Sequence, residues 1–404
     1  MARKPRRSPG VVRATVTGYP RSVAVTWQTS VAQLSEGGRR LLDRLAWLAP
    51  EKLPEELIDV PVPGAEGENL RDAYDDLAAY SLITRGAEGP FFLVHGLVQE
   101  VTRRSLAGET RQRSLVEALG WIDVAFAGSA IDVRDWPRLD PLSPHASAVT
   151  TYADAMGIAE PTGHLMNQLG LLLTGKALHA DAEPLIQRAL AITEETRGPD
   201  HPNVAACLNN LTQILQDTDR LAEAEPLMRR ALAILESSFG SDHPTVAISL
   251  SNLAAVLQDT NRIAEAEPMM RRALAIDEKS FGPEHGRVAD QLNNLGYLLQ
   301  VTKRTLEAEP LLRRALAITE KNLGTEHPDV AIRLNNLAQL LQDTKRLDEA
   351  EPLMRRALAI TEKSLGSDHP HVGIRLTNLA RLLHATNRLA DAEPPMRRHV
   401  GIFV

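Results

Sequence analysis

Five histidines recur at a fixed interval of 42 residues: His201, His243, His285, His327 and His369. Imidazoles in series are the side chains that hold zinc or carry protons. Their spacing argues against a shared metal. If each belongs to one unit of a helical stack, neighbours lie on the order of 10 Å apart, whereas a zinc ligand sits ~2.1 Å from its ion. His369 and His371 are closer together but have no third ligand near them in sequence. Cys207 is the single cysteine, which excludes a disulfide framework and a cysteine-built zinc site. On a helix it reads as a packed side chain. The nearest approach to a phosphate loop, Thr174-Gly-Lys-Ala177, lacks the first glycine and the hydroxyl that holds magnesium. The recurring acidic residues read as exposed helix faces, not acid–base pairs. The sequence therefore offers no catalytic residue, no cofactor site and no metal site.

A polar column carries more. Asn210, Asn252, Asn294, Asn336 and Asn378 keep the same interval. Asn209, Asn293 and Asn335 stand beside them, and Gln216, Gln258, Gln300 and Gln342 follow. An amide side chain both donates and accepts. A column of amides suits an extended peptide held by its backbone, and it equally suits bridges between scaffold helices. One equivalent position differs in every unit: Gln213, Ala255, Tyr297, Gln339 and Arg381. That position would set side-chain preference.

The elements behind these columns follow from one unit, Asp200 to Gly240. Asp200 or His201 can cap a helix whose first position is Pro202, where a missing N–H does no harm. Val204, Leu208, Leu211 and Leu215 form one stripe of that helix. Asp217-Thr-Asp-Arg220 reads as a polar turn. Leu221, Ala224, Leu227, Ala231 and Ile234 form the stripe of a second helix, interrupted near its start by Pro226 and stopped by Gly240 as a left-handed C-cap. Each unit is a helical hairpin, and a fixed period of this length marks stacked units. Small residues recur where hairpins must touch, at Ala224, Ala266, Ala308, Ala350 and at Ala231, Ala273, Ala315, Ala357. Glu225–Arg229 and its equivalents read as helix-surface pairs of ~0.2–0.5 kcal/mol each.

The 404 residues are 43% hydrophobic and 24% charged, with net charge −7. Such a chain buries a core, and its acidity argues against a nucleic-acid protein that works through overall positive charge. All four tryptophans, Trp27, Trp47, Trp121 and Trp136, precede residue 137, and the repeat follows a boundary near 155–162. No apolar run is long enough for a membrane span. The basic start, residues 1–16, has no apolar stretch behind it and reads as a flexible tail of a cytoplasmic protein.

The phrases Leu208-Asn-Asn-Leu-Thr and Leu221-Ala-Glu-Ala-Glu-Pro-Leu-Met-Arg-Arg-Ala-Leu resemble tetratricopeptide repeats. The 42-residue period and the Gly-x-x-His-Pro linkers, Gly240 to Pro244 and Gly324 to Pro328, resemble the kinesin-light-chain variety. The resemblance covers about 161–404, some six repeats. It implies an all-α, right-handed superhelical array whose first helices line the concave surface. The family's small residue falls on Gly170, Thr212, Ala254, Gly296, Ala338 and Ala380. Pro395 and His399 depart from the pattern and make the last repeat degenerate, frayed or truncated.

Before the array, helices over 34–48, 54–59 and 70–78 precede a hairpin, Ser81–Thr84 with Phe91–Val94, and a further helix from His95 to Leu106. Tyr19–Trp27, Leu45–Pro50 and Val94–Glu100 make 17–107 resemble the winged-helix module of the STAND, or NB-ARC, signalling ATPases. His95 matches the histidine that reports on bound nucleotide in that class. This chain has no phosphate loop for it to serve, so His95 reads as structural. Residues 108–160 resemble a degenerate linker repeat. The expected function is a non-catalytic scaffold that takes a peptide or protein partner in the groove. The main site residues are Asn210, Asn252, Asn294, Asn336, Asn378, Gln216, Gln258, Tyr297, Gln300 and Gln342. One alternative is the sensor half of a STAND-type ATPase whose nucleotide domain is encoded elsewhere. The other is a winged-helix DNA regulator, disfavoured by the three aspartates in Leu70–Leu77. No nucleic acid and no membrane is expected as partner.

Overall fold

The structure is a computed structural model that describes residues 29–395 apart from 87–88, 131, 133 and 368. The basic tail, the Tyr19–Trp27 stretch and His399 lie outside the described residues. The described chain forms two compact units that divide after Pro199.

In the first unit, Ser35 caps α1 (Glu36–Leu45) by accepting from the Gly38 N–H at 3.0 Å. That cap starts the helix later than its apolar pattern does. Leu41, Leu42 and Leu45 are fully buried. The chain then runs through β1 (Leu53–Pro54), a 3-10 turn (Glu55–Asp59), α2 (Leu70–Ala79), β2 (Ile83–Arg85), β3 (Phe91–Val94) and α3 (Gly96–Ser105). The expected hairpin forms with Ile83 opposite Val94. A short edge strand, β1, adds Leu53 opposite Phe92 and gives the antiparallel order β1-β3-β2. Pro54 is tolerated there because an edge strand can spare one donor.

The same unit continues through α4 (Gly108–Ala125), α5 (Trp136–Leu139), α6 (Ser143–Ala155), α7 (Thr162–Gly175) and α8 (His179–Arg197). One core runs from Leu34 to Leu172. Two buried tryptophans tie it together. Trp47 donates to Ser114 Oγ at 2.9 Å and Trp121 to the Val60 carbonyl at 3.0 Å. The hairpin α7–α8 contributes Leu165, Leu169 and Leu172 to this core.

The second unit repeats one plan. Its hairpins are α9 (Pro202–Asp217) with α10 (Leu221–Phe239), α11 (Pro244–Asp259) with α12 (Ile263–Phe281), α13 (Gly286–Val301) with α14 (Thr305–Leu323), and α15 (Pro328–Asp343) with α16 (Leu347–Leu365). Helix α17 (Pro370–Ala385) follows. The Val204, Leu208, Leu211, Leu215 stripe is buried, as are both alanine columns. In the second helices the buried place belongs to Met228, Met270, Leu312 and Met354, one residue beyond the expected Leu227. Gly296 shows how close the two helices of a hairpin come. A Cβ there would lie 2.8 Å from Leu312.

Helix ends differ from the expectation in one respect. Gly240 has φ +86° and ψ 157°, an extended glycine conformation and not the left-handed helical one. The left-handed residues instead close the first helices, at Asp219, Asn261, Lys303, Lys345 and Asn387. In the α9 turn, Arg220 N–H returns to the Leu215 carbonyl at 2.7 Å and Asp219 N–H to that of Gln216 at 3.0 Å. This six-to-one pairing satisfies the last carbonyls of the helix. The polar turn seen in the sequence is therefore a built stop without glycine. No helix among the described residues is long and apolar enough to cross a membrane.

Candidate functional site

The recurring histidines cap the first helices. His201, His243, His285, His327 and His369 each accept, through Nδ1, the backbone N–H two residues on, at 3.1–3.2 Å. Pro follows as the first helical residue in four of these units and Gly286 in the fifth. Phe239 stacks on His243 and Phe281 on His285, with centroids 4.9 and 4.7 Å apart. His95 plays the same part for α3, accepting from Leu97 N–H at 3.2 Å. Cys207 is buried. No cluster of metal-binding side chains occurs among the described residues.

The second helices carry an ion-pair ring. Glu225 meets Arg229 of its own helix at 2.9 Å and Arg262 of the next unit at 2.6 Å. Arg262 reaches Glu265 at 2.7 Å, and Glu265 closes the ring on Arg229 at 3.1 Å. The ring recurs around Glu267 with Arg304 and around Glu309 with Arg346. Arg229 and Arg262 hold the Glu225 carboxyl below the usual range. The expected intrahelical pair is thus also a clamp between successive hairpins.

The first helices present the other face. Along α13 the open positions are Asp290, Asn294, Tyr297 and Val301; along α11 they are Ile248, Asn252, Ala255 and Asp259. The amide column splits into two kinds of residue. Asn293 and Asn335 are buried. Asn336 Nδ2 donates to Asn293 Oδ1 at 3.0 Å and Asn378 Nδ2 to Asn335 Oδ1 at 2.9 Å. Asn336 and Asn378 thus bridge neighbouring first helices, whereas Asn252 and Asn294 stay exposed. Asn210, Gln216, Gln258 and Gln342 are half-buried. Gln300 is buried and donates to Asp343 at 2.9 Å.

Three of these helices enclose a polar hollow of about 340 Å³. Tyr297 and Gln300 come from α13, Gln339 and Gln342 from α15, Asn378 and Arg381 from α17. Four residues named from the sequence column, Tyr297, Gln300, Gln342 and Asn378, meet there; Asn210, Asn252, Gln216 and Gln258 lie on earlier hairpins. The sequence reading missed Asp343 and Lys303, which also line it. Its wall carries amide, phenol, guanidinium, ammonium and carboxylate groups, which between them both donate and accept hydrogen bonds.

A second hollow of about 380 Å³ lies in the first unit, walled by Val31, Val98, Val101 and Leu106. Asp43 stands on its rim, and burial pushes its carboxyl up to about 6.

The model of the tetratricopeptide repeat matches residues 161–237, 213–279, 287–363 and 334–403, more than half of the chain. The chain belongs to the tetratricopeptide repeat family. The matches place the repeat on α7 to α17. Residues 29–111, ahead of the tetratricopeptide array, match a domain of unknown function, DUF7779. No curated protein matches the chain. Among solved structures, the apo form of RapI is similar at 16% identity over 67% of this chain and 93% of that one, with a TM-score of 0.51. Kinesin light chain repeats from Podospora anserina are similar at 26% identity over 51% of this chain and 99% of that one, TM-score 0.45. A signal transduction ATPase with numerous domains (STAND) from Pyrococcus horikoshii, which has a tetratricopeptide repeat sensor, is similar at 12% identity over 93% of this chain and 64% of that one, TM-score 0.48.

Proposed function

We propose that the tetratricopeptide array is a non-catalytic scaffold that binds an extended segment of a protein partner along the exposed face of its first helices. The observation that carries this reading is the hollow shared by α13, α15 and α17, lined by Tyr297, Gln339, Gln342 and Arg381. Amides there can pair with peptide backbone, while the position of Tyr297, Gln339 and Arg381 changes from unit to unit and selects side chains. The opposite helices are occupied with one another through the Glu–Arg rings, which leaves the first helices as the open surface.

The test is a random dodecapeptide library panned against the whole chain, with the recovered peptides measured by calorimetry. Tyr297→Ala should weaken them by about 1–3 kcal/mol, the range of an aromatic anchor in an interface. Arg271 pairs with Glu267 at 2.8 Å in the ring of the second helices, and Arg271→Ala should leave peptide binding unchanged. Peptides indifferent to Tyr297 and sensitive to Arg271 would place the binding surface on the other helices.

We infer further that residues 17–107 hold a winged-helix-like module of the STAND kind, and that module and array together are the sensor half of a signalling ATPase whose nucleotide-binding domain is missing or separately encoded. The order helix, 3-10 turn, helix, hairpin, helix supports this. Domain limits at 17–107, 108–160 and 161–404 belong to the same proposal.

A further inference from the structure

First helices in this array contact their neighbours across a 43-residue step. Asn336 reaches Asn293, Asn378 reaches Asn335, and the Arg333 guanidinium reaches the Asp290 carboxylate. Arg375 is the equivalent of Arg333 one unit later. The residue 43 positions before it is Ile332, an exposed isoleucine, where Arg333 has Asp290. Arg375 is half-buried on α17, and its Nε, like that of Arg333, has no hydrogen-bond partner among the described residues. Burial alone holds its guanidinium below the ordinary value, and no carboxylate among the described residues offsets that effect. A guanidinium taken out of water without a counter-charge is unfavourable unless something supplies the charge. Arg381, on the same helix, lines the polar hollow and is exposed.

We propose that Arg375 takes an aspartate or glutamate carboxylate of the bound segment, and so makes the α15–α17 end of the groove select an acidic residue. The inference rests on the groove reading above. The ligand's carboxylate supplies to Arg375 the counter-charge that Asp290 supplies to Arg333. A planar guanidinium half-removed from water suits such a pair, since it can donate two parallel hydrogen bonds.

The test uses the whole chain and fluorescein-labelled hexaglutamate, hexaserine and hexalysine, followed by anisotropy at low salt. Hexaglutamate should bind at least tenfold more tightly than the other two. Arg375→Gln should lower its affinity at least fivefold. Ile332→Asp should do the same while leaving Arg375 in place, because it gives Arg375 the internal partner that Arg333 has. Its unfolding midpoint should not fall. Ile248→Asp adds the same charge at an equivalent exposed position, but its neighbour 43 residues on is Gln291, so affinity should stay within twofold. Unchanged hexaglutamate affinity in both Arg375→Gln and Ile332→Asp would overturn the proposal. Equal loss in Ile332→Asp and Ile248→Asp would also overturn it, since general repulsion would then explain both. If library-selected peptides still depend on Tyr297, the groove reading stands and only the acidic preference falls. If they do not, the groove reading itself fails.

Discussion

Asn336 donates its side-chain amide to Asn293 Oδ1 at 3.0 Å, across 43 residues of chain. The acceptor is buried and the donor half-buried. Removing the donor leaves a buried amide oxygen short of a partner. Asn336→Ala should therefore lower stability by about 1–3 kcal/mol. Asn294→Ala, at an exposed position, should stay within about 0.5 kcal/mol of wild type. Urea unfolding of the two variants checks this. Equal losses would mean that the column does not divide into bridging and open residues.

This division shows where sequence reasoning stops. The hairpins, both alanine columns and the first-helix stripe were legible because a helix of period 3.6 repeats every 42 residues; the second-helix stripe was misplaced by one residue at Leu227, where Met228 is buried. The amide column was legible as a column. Which amide is spent on a neighbour was not, because Asn335 and Asn336 are adjacent in sequence and differ only in how they face the next hairpin. The Glu–Arg rings were half legible. The i,i+4 pair is local, whereas the arginine 37 residues on, at Arg262 for Glu225, becomes a partner only once hairpins stack. Arg375 was invisible for the same reason, since its missing counter-ion is defined by a neighbouring helix. β1 escaped notice because two residues make no pattern.

The histidine caps give a second prediction. His285→Ala removes the acceptor for the Arg287 N–H and should cost about 1 kcal/mol, while His285→Asn should keep most of it. Amide exchange over 286–289 should speed up in the alanine variant only. A loss in neither variant would show that the cap contributes nothing.

Lys303 and Lys345 hold φ of +64° and +61°, a conformation that a side chain disfavours. Lys303→Gly should raise stability by about 0.5–1 kcal/mol, less the entropy that glycine adds to the unfolded chain. Thermal unfolding reads the result, and a clear drop in Tm would contradict it.

Buried His145 and half-buried Asp43, both in the first unit, are shifted in opposite directions. Burial pushes His145 down to about 4, so the unfolded chain binds its proton more readily between that value and ~6.5. Stability is full above ~6.5 and is lost as pH falls towards 4. His145→Gln should flatten that decline. Burial pushes Asp43 up to about 6, so its contribution is full below the ordinary carboxylate value, ~3.9, and is lost as pH rises through 6. Asp43→Asn should raise the Tm at pH 7.5 and not at pH 4. Parallel pH profiles for wild type and both variants would contradict the assignment.

A partner seated on the first helices must lie within reach of a probe on their open face, and the ion-pair rings must not. Site-specific photocrosslinking of the whole chain tests it most directly. p-Benzoylphenylalanine would be placed at 297 or 339 on the open face, and at 271 or 313 in the ion-pair rings. Each protein would be irradiated with a library-selected dodecapeptide at saturation. Adducts are expected from 297 and 339 and none from 271 and 313. Adducts confined to 271 and 313 would contradict this.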